Sequence, residues 1–238
     1  GGGGGGGGAD ESSLELLLLP ELPGSLLWRT WPVVAGFSFA AKAWGVAMVD
    51  GLRAASFNDR AFEQLVLPPA RKRLIEALVL SHGDEGREGA DLIAGKGEGS
   101  IFLLHGPPGV GKTLTAEAIA ELLHKPLYSV SMGELGTTPE SLETRLQDIL
   151  DLCVPWGALV LIDEAEMLLE RRTKTELARN AMVCVMLRLL EYYPGVLFLT
   201  SNRVRALDPA FQSRVQCALR YDALDAAARA QVWRNLLA

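Results

Sequence analysis

Beyond residue 100 the chain is punctuated by five short apolar runs: Ile101–Leu104, Leu127–Val130, Ala158–Asp163, Val196–Thr200 and Val215–Leu219. Short apolar runs bounded by turn residues predict buried strands. The run from Ala158 to Ile162 is continuous and closed by Asp163, as expected of a central strand covered on both faces. Between the runs the apolar spacing lengthens to that of a helix. Leu114, Ala118, Ile119 and Leu122 share one face, and Leu142, Leu146, Ile149 and Cys153 share another. Met182, Met186, Leu189 and Leu190 mark a third face, in a helix from about Glu176 to Tyr192 that Pro194-Gly195 ends. Thr138 with Pro139 supplies one helix start, and Asp225 another, ahead of Val232, Trp233 and Leu236. Strands alternating with helices predict an α/β fold, a three-layer αβα arrangement around a mostly parallel central sheet.

The first hundred residues read differently. Gly1–Gly8 is a low-complexity tail, and the segment through residue 30 offers no periodicity to interpret. Val33–Phe39 and Trp44–Val49 are β-type runs flanking Ala40–Ala43, which predicts a small hairpin. Asn58–Pro69 is a connector whose Pro68-Pro69 starts a helix carrying Leu74, Ile75, Leu78 and Val79 and stopping near His82-Gly83. Gly83–Gly99, with six glycines among charges, is a loop leading to the first buried strand. The expected organisation is a flexible segment over 1–30, a β-rich hairpin over 31–57, the α/β domain over 58–222 and a terminal helix over 223–238.

Between the strand Ile101–Leu104 and its following helix lies Gly106-Pro107-Pro108-Gly109-Val110-Gly111-Lys112-Thr113, which satisfies G-x-x-x-x-G-K-[ST] at every defined position. Glycines there let backbone N–H groups converge on one point, where the helix N-terminus adds its positive end. Lys112 would reach the β- and γ-phosphates, and the Thr113 hydroxyl would hold Mg²⁺. Asp163 closes its strand on the side where such sheets bind ligands, and can hold the same ion through water. Glu164 follows it and can orient and partly deprotonate an attacking water. Asn202, at the end of Val196–Ser201, can contact the γ-phosphate or position the water. Arg214 supplies a guanidinium of the kind that stabilises charge spreading over a phosphoryl group in transfer.

Charge and cysteine content narrow the picture. A formal net charge of −6 argues against a general nucleic-acid binder, since phosphate neutralisation needs clustered Lys and Arg. Cys153, Cys184 and Cys217 are far apart, each in an apolar context, and odd in number, which predicts buried, reduced thiols and an intracellular, reducing compartment rather than a disulfide framework. No run is long enough for a membrane span, and the opening glycines and acids lack a signal-peptide pattern.

Together Gly106–Thr113, Leu159–Glu164, Thr200-Ser201-Asn202 and Leu207-Asp208-Pro209-Ala210 with Arg214 resemble the Walker A, Walker B, sensor 1 and arginine-finger segments of the AAA ATPases, within the AAA+ superfamily. Runs similar to Gly133–Pro139 and Leu189–Tyr193 occur in poorly characterised eukaryotic AAA proteins with long N-terminal regions. The resemblance covers about Phe57 to the C-terminus. It implies Mg-dependent ATP binding and hydrolysis coupled to remodelling of a protein or protein complex, with a homo-oligomeric, usually hexameric ring holding ATP at subunit interfaces. Gly106, Pro107, Pro108, Gly109, Val110, Gly111, Lys112, Thr113 and Leu114 inherit nucleotide binding, and Thr113 and Asp163 the metal. Glu164 inherits water activation, Asn202 sensing of the γ-phosphate, and Arg214 the finger acting on a neighbouring subunit.

Three departures accompany the resemblance. Gln212-Ser213-Arg214 offers one arginine where many members carry two. The segment aligned with the family's pore loop, Gly133–Gly136, has no aromatic residue and Leu135 as its one sizeable apolar side chain, so any grip on a client is expected to be weak or client-specific. The sequence reaches only the first helix expected of the C-terminal lid. Two other classes fit the phosphate loop: a nucleotide-gated scaffold with little turnover and a kinase acting on a small acceptor.

Overall fold

A computed structural model describes residues 24, 30–80, 99–169, 177–203 and 208–237. The glycine tail, most of the loop expected over 83–99 and Leu207 lie outside the described residues. The chain divides into two compact units, one of Gly1–Phe37 with Trp44–Arg53 and one of Ser38–Ala43 with Ala54–Ala238.

The first unit contains most of an antiparallel hairpin, β1 (Val33–Ser38) and β2 (Ala43–Met48). Within it the Phe37 and Trp44 rings meet edge to face, with centroids 5.6 Å apart.

In the second unit, β3 (Ser100–His105), β4 (Leu127–Ser131), β5 (Leu159–Asp163), β6 (Val196–Ser201) and β7 (Cys217–Arg220) form one sheet, ordered β4-β5-β6-β3-β7. Every pairing in it is parallel. Parallel strands need crossovers, and the helices supply them. The helices are α1 (Ala61–Gln64), α2 (Pro69–Leu80), α3 (Lys112–Leu122), α4 (Met132–Leu135), α5 (Pro139–Cys153), α6 (Glu166–Leu169), α7 (Leu177–Glu191), α8 (Pro209–Gln212) and α9 (Ala226–Leu237). All five expected strands are present, and the αβα architecture holds.

Burial explains why the runs were continuous. Phe102, Leu104, Leu159, Leu161 and Phe198 are buried in the sheet, and α3 lays Ala116, Ile119 and Ala120 against that same core. Phe102 faces Phe198 across the β3–β6 register, with ring centroids 5.2 Å apart. Each such buried side chain contributes about 1.5–3 kcal/mol of transfer free energy. The capping of α5 is as expected: Thr138 Oγ1 accepts from the Ser141 backbone N–H at 3.2 Å and Pro139 occupies the first turn. The four-residue helices α1, α4, α6 and α8 are too short to leave a periodic pattern.

One expected face changes, and Cys184, expected to be buried like Cys153 and Cys217, is exposed on α7. Leu114 is 56% exposed, because α3 turns Thr115, Ala116 and Ile119 to the sheet instead. Asp225 does cap α9, accepting from Ala228 N–H at 2.7 Å, yet α9 buries no residue among those described, and Trp233 and Leu236 are exposed.

The sheet order positions the site. The chain leaves β3 and crosses to the far edge at β4, so β3 stands between β6 and β7. Reversal of winding opens a crevice at the carboxyl ends of the strands, where α/β sheets bind ligands. Residues following β3, β5 and β6 converge there.

Candidate nucleotide site

The loop after β3 is shaped by its glycines. Gly106 has φ 153°, and a Cβ there would lie 2.2 Å from the Tyr221 carbonyl oxygen, so no side chain fits. Gly111 caps α3 in left-handed backbone, φ 94°, and aims the first α3 N–H groups back over the loop. Behind the loop, the Tyr221 hydroxyl donates to Thr115 Oγ1 at 2.7 Å, and Thr115 Oγ1 donates to the Gly111 carbonyl at 2.9 Å. This buried chain braces the loop against the segment following β7.

Lys112 is only 7% exposed. Its Nζ donates to Gly106 O at 2.9 Å, Pro107 O at 2.7 Å and Asn202 Oδ1 at 2.9 Å, which uses all three ammonium hydrogens. Burial draws its pKa below the ordinary lysine value, opposed by the charges of Asp163 and Glu166. Its bond to Asn202 joins the loops after β3 and β6.

The acidic corner joins β5 to both. Thr113 Oγ1 donates to Asp163 Oδ2 at 3.2 Å. Thr200 Oγ1 donates to Asp163 Oδ1, and the Glu164 N–H donates to Thr200 Oγ1 at 3.1 Å. Ala165 N–H donates to the Thr200 carbonyl at 2.9 Å, so the turn after β5 is tied to β6 through backbone and side chains. Glu164 itself is exposed, with φ 59°. The Glu166 carboxylate accepts from the Asn202 N–H at 2.6 Å. Thr113 and Asp163 offer hard oxygens at hydrogen-bond separation, the donor type that Mg²⁺ takes alongside phosphate oxygens and water. The residues fit that ion.

Two clefts flank the loop. A broad one of about 750 Å³ is bordered by His105, Pro107, Asn202, Arg203 and Arg220. A narrow apolar one of about 120 Å³ lies against Val110 and Leu114 and is closed by Leu65, Leu67, Leu224 and Val232. Leu114 therefore borders the loop's apolar side rather than the core.

Lys112, Thr113, Asp163, Glu164 and Asn202 thus meet at one end of the sheet. Arg214 does not join them. It precedes β7, at the amino ends of the strands, and one strand length of roughly 15–20 Å separates those ends from the loop. Its Nη2 pairs with Glu191 Oε2 at 2.8 Å and its Nη1 donates to Ala210 O at 3.2 Å, while Nε is buried without a hydrogen-bond partner. Sequence reasoning assigned no role to Thr200 or Glu166. The available signals were the hydroxyl two residues before Asn202 and the third acid in Asp163-Glu164-Ala165-Glu166.

The segment Gly133–Gly136 departs from expectation. Its first three residues lie in α4, where Glu134 forms a capping box with Ser131, and Leu135 is fully buried. Leu135 is therefore a core residue and cannot present itself to a client. From the turn at 38–43, Lys42 pairs with Glu134, and the Phe39 ring lies 6.3 Å from Tyr128 and 6.2 Å from Trp156.

Comparison with known proteins places this geometry. The family model described as "ATPase family associated with various cellular activities (AAA)" matches residues 102–222, half of the chain. The chain belongs to that family, and the domain is an ATP-binding P-loop ATPase module. It is 29% identical over 120 residues to Protein CdcH of Halobacterium salinarum, covering 46% of this chain and 16% of that protein. Against Nuclear valosin-containing protein-like of Mus musculus it is 42% identical over 73 residues, 29% of this chain and 8% of that protein. To CD-NTase-associated protein 6 of Pseudomonas aeruginosa it is 32% identical over 137 residues, 48% of this chain and 45% of that protein. The chain matches less than half the length of each of these relatives. Among the described residues no helix is long and apolar enough to cross a membrane.

Proposed function

We propose that this module hydrolyses Mg-ATP and couples turnover to remodelling of a protein or protein complex. The observation that carries the reading is the bond from Lys112 to Asn202, which, with the Thr113–Asp163 contact, gathers the ends of β3, β5 and β6 around one point. On binding, Lys112 exchanges loop carbonyls for phosphate oxygens, and the α3 N-terminus adds its dipole. The narrow apolar cleft beside Val110 and Leu114 takes the base. Thr113 and Asp163 would hold Mg²⁺, which would neutralise charge on the phosphates. Glu164, free of the hydrogen bonds that occupy Asp163, orients and deprotonates the attacking water, and Asn202 contacts the γ-phosphate. Arg214 is too distant to serve its own loop, which supports action on a neighbouring copy and a homo-oligomeric ring. Burial of Leu135 favours client engagement that does not depend on that side chain.

The test separates binding from chemistry. Lys112→Ala is expected to lose ATP affinity by about 10–100-fold, the scale of one lost charge-assisted contact. Glu164→Gln keeps affinity and loses about 10²–10⁴ in kcat. Calorimetry on both, beside phosphate release, measures this. Equal loss of binding in the two variants overturns the assignment.

A further inference from the structure

We infer that Glu166 is a positioning residue for Asn202: it fixes the backbone from which the Asn202 amide reaches toward Lys112 and the phosphate site. The inference rests on the proposed role of Asn202. Glu166 opens α6, one turn beyond Asp163, and its carboxylate oxygen takes the Asn202 backbone N–H at 2.6 Å. That acceptor oxygen gives the Asn202 N–H the partner that strand pairing supplies to the residues before it. Asn202 needs such a hold because β6 ends at Ser201 and its ladder partners end with it: Ser201 pairs with His105, and no register partner follows. Without Glu166, Asn202 is the exposed first residue of a loop, held among the described residues only by its side-chain bond to Lys112. That bond is one ATP must compete with, because phosphate oxygens draw on the same ammonium hydrogens. Glu166 holds the Asn202 main chain in a way that does not depend on Lys112, so the amide stays aimed when Lys112 turns to the nucleotide.

Geometry of this kind acts on rate more than on affinity, since a displacement near 1 Å at a reacting centre can cost about 10²-fold. Glu166→Ala is expected to lower kcat by about 10–100-fold while changing ATP affinity less than about threefold. Glu166→Gln keeps an acceptor oxygen at the same reach and is expected to retain kcat within about threefold. In an Asn202→Ala background, Glu166→Ala is expected to cost nothing further in kcat, because the group it positions is gone. A readout independent of turnover is amide exchange by NMR in the nucleotide-free protein. The Asn202 amide is expected to exchange at least about tenfold faster in Glu166→Ala and near the native rate in Glu166→Gln.

Melting temperatures establish that the variants are folded. If Glu166→Gln is as slow as Glu166→Ala, the negative charge acts instead, through Lys112, and the inference is overturned. Equal costs of Glu166→Ala with and without Asn202 overturn it as well, as does native exchange of the Asn202 amide in Glu166→Ala. Slow Asn202→Ala with native-rate Glu166→Ala removes this inference alone and leaves the proposed function standing. Native kcat in Asn202→Ala removes the role of Asn202 in the proposed function, and this inference falls with it.

Discussion

The two ends of the parallel sheet are built to opposite rules. At the carboxyl end, the nucleotide loop, the acidic corner and the tip of β6 share a network in which Lys112, Thr113, Asp163, Thr200 and Asn202 all have internal partners. Packing closes the same end laterally, where Leu135 is fully buried just beyond β4. At the amino end, Arg214 is held by one carboxylate and one carbonyl, with about a third of the Arg214 and Glu191 side chains exposed. A preorganised site loses little when charge develops, because its dipoles already face the right way. On the proposed reading Arg214 serves another molecule, and such a group needs the opposite: an attachment weak enough to exchange. The contrast teaches that one sheet can carry a finished pocket and an unfinished one.

The largest expected effect breaks this contrast at its exchangeable end. By the arginine-finger precedent Arg214→Ala is expected to cost about 10³–10⁵ in kcat, or about 4–7 kcal/mol of barrier, with ATP still bound. Mixed with Lys112→Ala, which keeps its arginine but not its pocket, it is expected to regain activity at interfaces that pair the two intact parts. Confirmed co-assembly without recovered phosphate release would show that Arg214 does not work between copies.

A smaller effect tests whether the carboxyl end is closed by packing. Leu135→Ala removes a fully buried side chain and is expected to cost about 2–5 kcal/mol of stability, or several degrees of melting temperature. An unchanged melting curve would mean that the segment is not fixed to the core. The smallest of the three sharpens the exchangeable end. The Arg214–Glu191 pair is partly solvated, and such pairs contribute about 0–1 kcal/mol. Glu191→Gln is therefore expected to leave stability within about 1 kcal/mol in chemical denaturation. A loss of several kcal/mol would make the pair a structural tie and remove the contrast.

Much of the carboxyl end was legible because its signals are local. A continuous apolar run identifies a buried strand, and the glycine loop carries its own geometry from Gly106 to Thr113. The hairpin strands and the capped start of α5 were legible for the same reason. The contacts of Glu166 and Thr200 were not, since each bridges 36 or 37 residues and the sequence pattern carries no sign of the pairing. Leu114 and Leu135 show a second limit. Apolar spacing identifies a helix without fixing its rotation about its axis, and in the four residues of α4 an apolar side chain has no period to mark its face.

One feature of the acidic corner bears on how the chain can change over generations. Glu164 occupies left-handed backbone at φ 59°, a conformation that costs an L-residue with a side chain about 1–2 kcal/mol. Glycine there escapes that cost and gives back about 0.5–1 kcal/mol through greater freedom of the unfolded chain. Glu164→Gly is thus expected to melt no lower than Glu164→Gln, and somewhat higher on balance, although both lack the carboxylate. A duplicate of this domain released from hydrolysis would gain stability by drifting to glycine at residue 164. On the proposed role of Glu164, hydrolysis and the backbone at residue 164 therefore favour different residues.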